Sequence, residues 1–137
     1  MIRLEKAGRE DLAALVQLQE IVRARLLPEG QPLPETAGDS LEEFFAHGVV
    51  LRALMEDDTM VGAVGGREVD GRQHLAQLLV HPQWQGQYVE TMLLLQMESL
   101  LPEARRELLF PARDAADLRP LLWLGYTVSE ETPLPHG

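Results

Sequence analysis

Three β-prone runs in close succession constrain this chain more than any other feature. "VVLRALM" (49–55), "MVGAVGGREV" (60–69) and "HLAQLLV" (74–80) are rich in β-branched and apolar residues, and only "EDDT" and "DGRQ" separate them. Connections that short can join antiparallel neighbours but not parallel ones, so residues 49–80 must form a meander of three strands. The third run leads directly into "HPQWQGQ" and then "YVETMLLLQMESLL" (88–101). That last segment reads as a helix, apolar on most sides and therefore buried.

The flanking segments supply the other elements. Residues 2–5, "IRLE", read as a first strand. "GREDLAALVQLQEIVRARLL" (8–27) reads as a helix in which Leu15, Leu18, Val22 and Leu26 recur at helical spacing. Glu10 and Asp11 lie near its start and Arg23 and Arg25 near its end, matching the helix dipole. "PEGQPLPETAGD" (28–39) carries three prolines and two glycines and is a loop. Asp39 or Ser40 can cap a short helix, "LEEFFAHG", closed by Gly48. Beyond Pro102, "ELLFPAR" reads as a strand, "DAADLRPLLWLG" as a helix, "YTVSE" as a last short strand and residues 131–137 as a loose tail. Pro120 is tolerated in that helix if Asp117 caps it, and kinks it if Asp114 does. The order is strand, two helices, three antiparallel strands, helix, strand, helix, strand. It predicts one α/β domain, a mixed and mostly antiparallel sheet with helices on both faces.

Composition narrows the function classes. The 137 residues suit a single domain, and 45 % apolar content excludes a disordered chain. There is no cysteine, which excludes a disulfide scaffold, a thiolate zinc site and a cysteine nucleophile, and fits a reducing cytoplasmic setting. Twelve bases against 22 acids leave a net charge of −10, which argues against nucleic acid and anionic membrane surfaces as partners. No apolar run spans a bilayer, no signal-peptide core opens the chain, and no His/Asp/Glu grouping has metal-ligand spacing.

The element order, together with "LLVHPQWQGQYVETMLLLQME" (78–98), resembles the GNAT superfamily of acyl-CoA-dependent N-acetyltransferases. "TMVGAVGGREV" is similar to that family's third strand, "LLVHPQWQG" to its fourth strand and the following turn, and "LLWLGY" to the segment before its closing strands. The resemblance implies acetyl-CoA as co-substrate, with the pantetheine arm along the fourth strand at Leu78, Leu79 and Val80. A backbone N–H there polarises the thioester carbonyl. It also implies that the diphosphate lies on the amides of the Q/R-x-x-G-x-G/A signature, which falls here on Gln85, Gly86, Gln87, Tyr88, Val89, Glu90 and Thr91. A primary amine of a small molecule or peptide then attacks the thioester directly, with help from a base and an acid.

Two signature positions depart from the pattern. Tyr88 stands where a glycine is usual, and its phenol could donate to a phosphate or plug the site. Glu90 stands where glycine or alanine is usual. Its carboxylate would repel a diphosphate unless it turned outward to solvent, and as a first-turn acid it also stabilises the helix in the ordinary way. Leu121 takes the place of the family's tyrosine and cannot protonate a thiolate. The candidate bases are Glu68 and His74, each with an ordinary reading as strand packing or an exposed acid. His81 reads as a turn residue, Trp84 as an aromatic packing the turn or shielding the adenine, and Tyr126 as core. The alternative function is a catalytically degenerate member of the fold that acts as a binding or regulatory module. An exposed edge at the closing strands would suit a homodimer.

Overall fold

A computed structural model describes residues 2–26, 40–85, 87–100, 105–108, 119, 121–122, 124 and 126–127. Five strands form one sheet in sequential order: β1 (Arg3–Lys6), β2 (Val49–Leu54), β3 (Met60–Val69), β4 (Arg72–Val80) and β5 (Arg105–Leu108). The first four are antiparallel and β5 is parallel to β4. The meander expected from residues 49–80 is therefore the centre of the sheet. Its second hairpin is tight because Asp70 and Gly71 both take positive φ, 51° and 76°, and Val69 pairs with Arg72 across them. An Asp-Gly pair at those two positions suits the turn whose twist matches the flanking strands.

Helices cover both faces. On one side α1 (Leu12–Leu26) and α2 (Leu41–His47) bury Leu15, Leu18, Val22, Leu41 and Phe44 against Val50, Ala63, Ala76 and Leu79. On the other, α3 (Val89–Leu100) buries Val89, Leu93, Leu94 and Met97 against Leu51, Ala53, Val64, Leu75, Leu78 and Val80. Two glycines of β3 permit this closeness. A Cβ at Gly65 would run into the Phe44 ring, and one at Gly62 would lie 2.9 Å from Val89 Cγ1 and 3.1 Å from Leu93 Cδ1. Gly62 thus seats the first turns of α3 on the sheet next to the end of β4.

Several boundaries differ from expectation. The acids Glu10 and Asp11 lie in a separate 3-10 turn (Arg9–Asp11) ahead of α1, because the Asp11 carboxylate accepts the Gly8 N–H at 2.9 Å. That carboxylate also takes Arg52, which bridges on to Glu5 at 3.1 Å. Ser40 caps α2 by accepting the Glu43 N–H, whereas Asp39 lies outside the described residues. β4 begins at Arg72, two residues before His74, since the turn is only two residues long. β5 likewise begins at Arg105, ahead of "ELLFPAR", and the strand expected past Leu108 lies outside the described residues. α3 is less enclosed than its apolar sequence suggests, with Leu95 half exposed. Arg119, Leu121 and Leu122 are helical, as expected there. The caps proposed at Asp114 and Asp117, and Pro120, lie outside the described residues, as does most of the closing strand; Tyr126 and Thr127 belong to no element. Among the described residues no helix is long and apolar enough to cross a membrane, and no group of three metal-ligating side chains occurs.

Candidate functional site

The site is built at the end of β4. Ala63 pairs with Leu79 and Gly65 with Ala76, so Val64 alone faces both Gln77 and Leu78. This is a β-bulge, and Gln77 carries it with φ 55°. The extra residue reverses the facing of the strand. Before the bulge Leu75 packs toward α3 and Ala76 toward α1; after it Leu78 and Val80 pack toward α3 and Leu79 toward α1. Among the described residues the bulge also coincides with the end of strand pairing on the far edge. β5 pairs with β4 from Arg72 to Leu75, and among the described residues β4 has no partner on that edge from Ala76 to Val80.

The backbone polarity of this stretch follows from alternation. His81 donates its N–H to the Val61 carbonyl on β3 at 2.9 Å, so Leu79 faces β3 as well. The N–H groups of Leu78 and Val80 then point to the opposite edge, where among the described residues β4 and β5 form a fork, their pairing ending at Leu75 and Leu108. A fork with amide donors on one wall can accept an extended chain as an additional strand, or hold an oxygen on which charge develops.

A second donor group lies directly beyond. After Val80, His81 caps a 3-10 turn (Pro82–Trp84), its Nδ1 accepting the Gln83 N–H at 3.2 Å. Gln85 folds back and donates from Nε2 to the Val80 carbonyl at 3.4 Å. Tyr88 precedes α3 with φ 68°, and its carbonyl accepts the first helical bond, from Met92 N–H at 3.0 Å. The N–H groups of Val89 and Thr91 take no partner among the described residues, and the Thr91 hydroxyl, on a residue only 8 % exposed, takes none either. Open amides at the positive end of a helix dipole, next to a buried unsatisfied hydroxyl, suit an anion with several oxygens.

The two departures from the family pattern are placed differently. Tyr88 is 70 % exposed, so its phenol projects to solvent and does not plug the approach to α3. Glu90 does not escape to solvent: it is 7 % exposed, on the face of α3 that packs inward. Its helical phase explains this, since Glu90 lies four residues before Leu94 and seven before Met97, both fully buried. That spacing was the available sequence signal.

Leu78, Leu79, Val80, Gln85, Gln87, Tyr88, Val89, Glu90 and Thr91 thus form one continuous strand–turn–helix corner, and Gly86 lies outside the described residues. Glu68 and His74 are not brought together. Glu68 is exposed beside the Asp70–Gly71 turn and pairs with Gln73. His74, half-buried, pairs with Arg67 on β3 and with Glu107 on β5, just before the fork opens. Adjacent rungs place these two side chains on opposite faces of the sheet. Leu121 is buried in the α3-side core. Trp84 packs against that core, and with Ile2, Met55, Glu56 and Asp57 it lines an open cleft of about 440 Å³ beside the turn, outside the fork. There the Asp57 carboxyl is held below the usual carboxylate range by hydrogen bonds from the Thr59 hydroxyl and then its N–H. Gln77 accepts a hydrogen bond from Gln19 Nε2 on α1, and neither glutamine stood out in the sequence, because glutamine carries no turn signal.

Comparison with solved structures finds this architecture in acetyltransferases. A GNAT-family acetyltransferase of Streptococcus pneumoniae matches at TM-score 0.65 and 21 % identity, covering 93 % of this chain and 89 % of that one. A predicted acetyltransferase of Clostridium acetobutylicum, solved with acetyl-CoA, matches at TM-score 0.68 and 15 % identity over 97 % and 94 % of the two chains. The PaiA N-acetyltransferase of Thermoplasma acidophilum, solved with coenzyme A, matches at TM-score 0.53 and 17 % identity over 73 % and 71 %. No family model and no curated relative matches the chain. The chain shares the fold of these acetyltransferases.

Proposed function

Proceeding from that fold, we propose that the protein transfers an acetyl group from acetyl-CoA to a primary amine. The observation that carries this reading is the corner itself: a bulged strand end whose Leu78 and Val80 amides face an edge without a partner among the described residues, followed within eleven residues by an α3 N-terminus with unsatisfied donors. The first set suits a thioester carbonyl and a pantetheine arm. The second suits a diphosphate, through Val89 N–H, Thr91 N–H and the Thr91 hydroxyl. Acetyl-CoA supplies the activated acyl group and a thiolate that leaves readily.

The chain's part in the reaction is largely electrostatic and positional. The amine nitrogen forms a bond to the acyl carbon while the Leu78 or Val80 N–H stabilises the negative charge gathering on the carbonyl oxygen. The carbon–sulfur bond then breaks, the thiolate departs, and the nitrogen sheds a proton. We assign the proton acceptor to His74, in preference to Glu68, through a chain of waters, since Leu78 lies four residues further along β4. His74 and Ala76 share the sheet face from which Gln77 reaches α1, whereas Glu68 lies on the other face at the hairpin end. Buried Leu121 offers no proton to the thiolate, so water or bulk buffer protonates it. The charge of −10 favours a cationic acceptor such as a polyamine, an aminoglycoside or a lysine side chain.

Calorimetric titration with acetyl-CoA, followed by an acetylation screen over spermidine, an aminoglycoside and a lysine peptide, tests the proposal. Binding below millimolar and turnover of at least one amine are expected; no heat at millimolar acetyl-CoA refutes it. His74→Gln should then lower kcat with acetyl-CoA affinity unchanged. The buried Glu90 and the missing hydroxyl at Leu121 favour a second reading, a binding module that retains the fold without turnover. Tight acetyl-CoA binding with no acetylated product from any amine would select it.

A further inference from the structure

The bulge that aims the Leu78 amide is held from outside the sheet. Gln77 stands at φ 55°, a conformation that a residue bearing a Cβ keeps only when its surroundings enforce it. Its side-chain oxygen accepts a 2.7 Å hydrogen bond from Gln19 Nε2, on α1 and 58 residues earlier in the chain. Both side chains are half-buried, where a neutral amide–amide bond is less weakened by competing water. Gln77 C=O and Leu78 N–H belong to one rigid peptide plane. Whatever fixes Gln77 therefore fixes the direction in which Leu78 N–H enters the fork.

We propose that Gln19 is a positioning residue for acyl recognition. Through Gln77 it locks the β4 bulge so that the Leu78 N–H meets the thioester carbonyl. The inference rests on the transferase reading above and deepens it. It makes α1, through a residue 58 positions earlier in the chain, a determinant of whether the acyl group is distinguished from a bare thiol.

Comparing acetyl-CoA with CoA reads this effect, because CoA differs only in lacking the acetyl group, whose carbonyl is the one hydrogen-bond acceptor lost. Calorimetry on the unaltered protein should give an acetyl-CoA affinity about five-fold above that of CoA, the worth of one ordinary hydrogen bond. Gln19→Ala should bring the ratio close to one while CoA affinity stays unchanged. Glycine adopts positive φ without a brace, so Gln77→Gly should restore the ratio in the Gln19→Ala background. If Gln19→Ala fails to fold, Gln19→Leu, which keeps the reach and the apolar packing, carries the same comparison. An unchanged ratio in the Gln19 variant overturns the positioning role, and so does an equal fall in both affinities, which marks a scaffold contact only. No binding of either ligand by the unaltered protein overturns the transferase reading and this inference with it.

Discussion

Tyr88 offers a test of the corner's backbone that needs no ligand. It holds φ 68° at the start of α3 while its side chain is 70 % exposed. The ring therefore contributes little burial, and Tyr88→Ala should change stability by no more than about 0.5 kcal/mol, as for an ordinary surface site. The left-handed backbone matters more. An L-residue there sits about 1–2 kcal/mol above its preferred conformation, and glycine removes that penalty. Glycine also loosens the unfolded chain, which returns roughly 0.4–1 kcal/mol. The balance makes Tyr88→Gly more stable than Tyr88→Ala by roughly 0.5–1 kcal/mol, a rise in Tm of about 2–5 °C for a domain this size. The sign is diagnostic, because at an ordinary helical position glycine is worse than alanine by about 1 kcal/mol. Urea unfolding of the two variants, followed by circular dichroism with m held equal, reads the difference directly. A glycine variant no more stable than the alanine variant refutes the left-handed assignment. The same pair tests the ring: Tyr88→Ala should leave CoA affinity within about two-fold, and a ten-fold gain would mean that the phenol obstructs the site after all.

Glu90→Gln should raise CoA affinity about five-fold, since a carboxylate a few ångströms from a diphosphate costs about 1 kcal/mol even at the dielectric of water; calorimetry at low and high salt checks this, and an unchanged affinity places the charge out of reach. Gly65→Ala should destabilise the fold by about 1–3 kcal/mol, because the new methyl group meets the fully buried Phe44 ring; a thermal melt reads it, and no loss would mean that α2 shifts freely on the sheet. The Glu5 carboxyl is lowered by its hydrogen bond from Arg3, then by the charges of Arg3 and Arg52, and the Asp57 carboxyl is lowered by Thr59. The unfolded chain binds more protons in that window, so this stability is present above the ordinary carboxylate range and fades as pH falls toward the folded values. Asp57→Asn should flatten the acid limb of a Tm-against-pH curve, and an unaltered limb would contradict the assignment.

What was legible in the sequence was local. The Ser40 cap and the Leu15–Leu18–Val22 stripe each depend on chemistry within a few residues, and each took a form its pattern allowed; the turn read over residues 70–73 also formed, though only Asp70 and Gly71 make it. The β4 bulge depends on Gln19, 58 residues away, and no short-range rule makes glutamine left-handed. Helical phase lies between these cases, and it governs the candidate site. Successive residues of an α-helix turn by about 100°, so position 90 shares the inward face of α3 with Leu94 and Met97. Position 88 precedes the helix with a left-handed backbone, and its ring is 70 % exposed. The two non-glycine residues of the phosphate corner are therefore unequal in effect. At 88 the backbone alone is asked for a glycine-like φ, and the protein supplies it with a tyrosine whose bulk lies outside. At 90 the side chain itself enters the protein beneath the helix N-terminus, where an ionised carboxyl would oppose any anion that the open amides attract. Of the two, position 90 is therefore the one whose side chain bears on an anion at this corner, and Glu90→Gln is the smallest change that tests it.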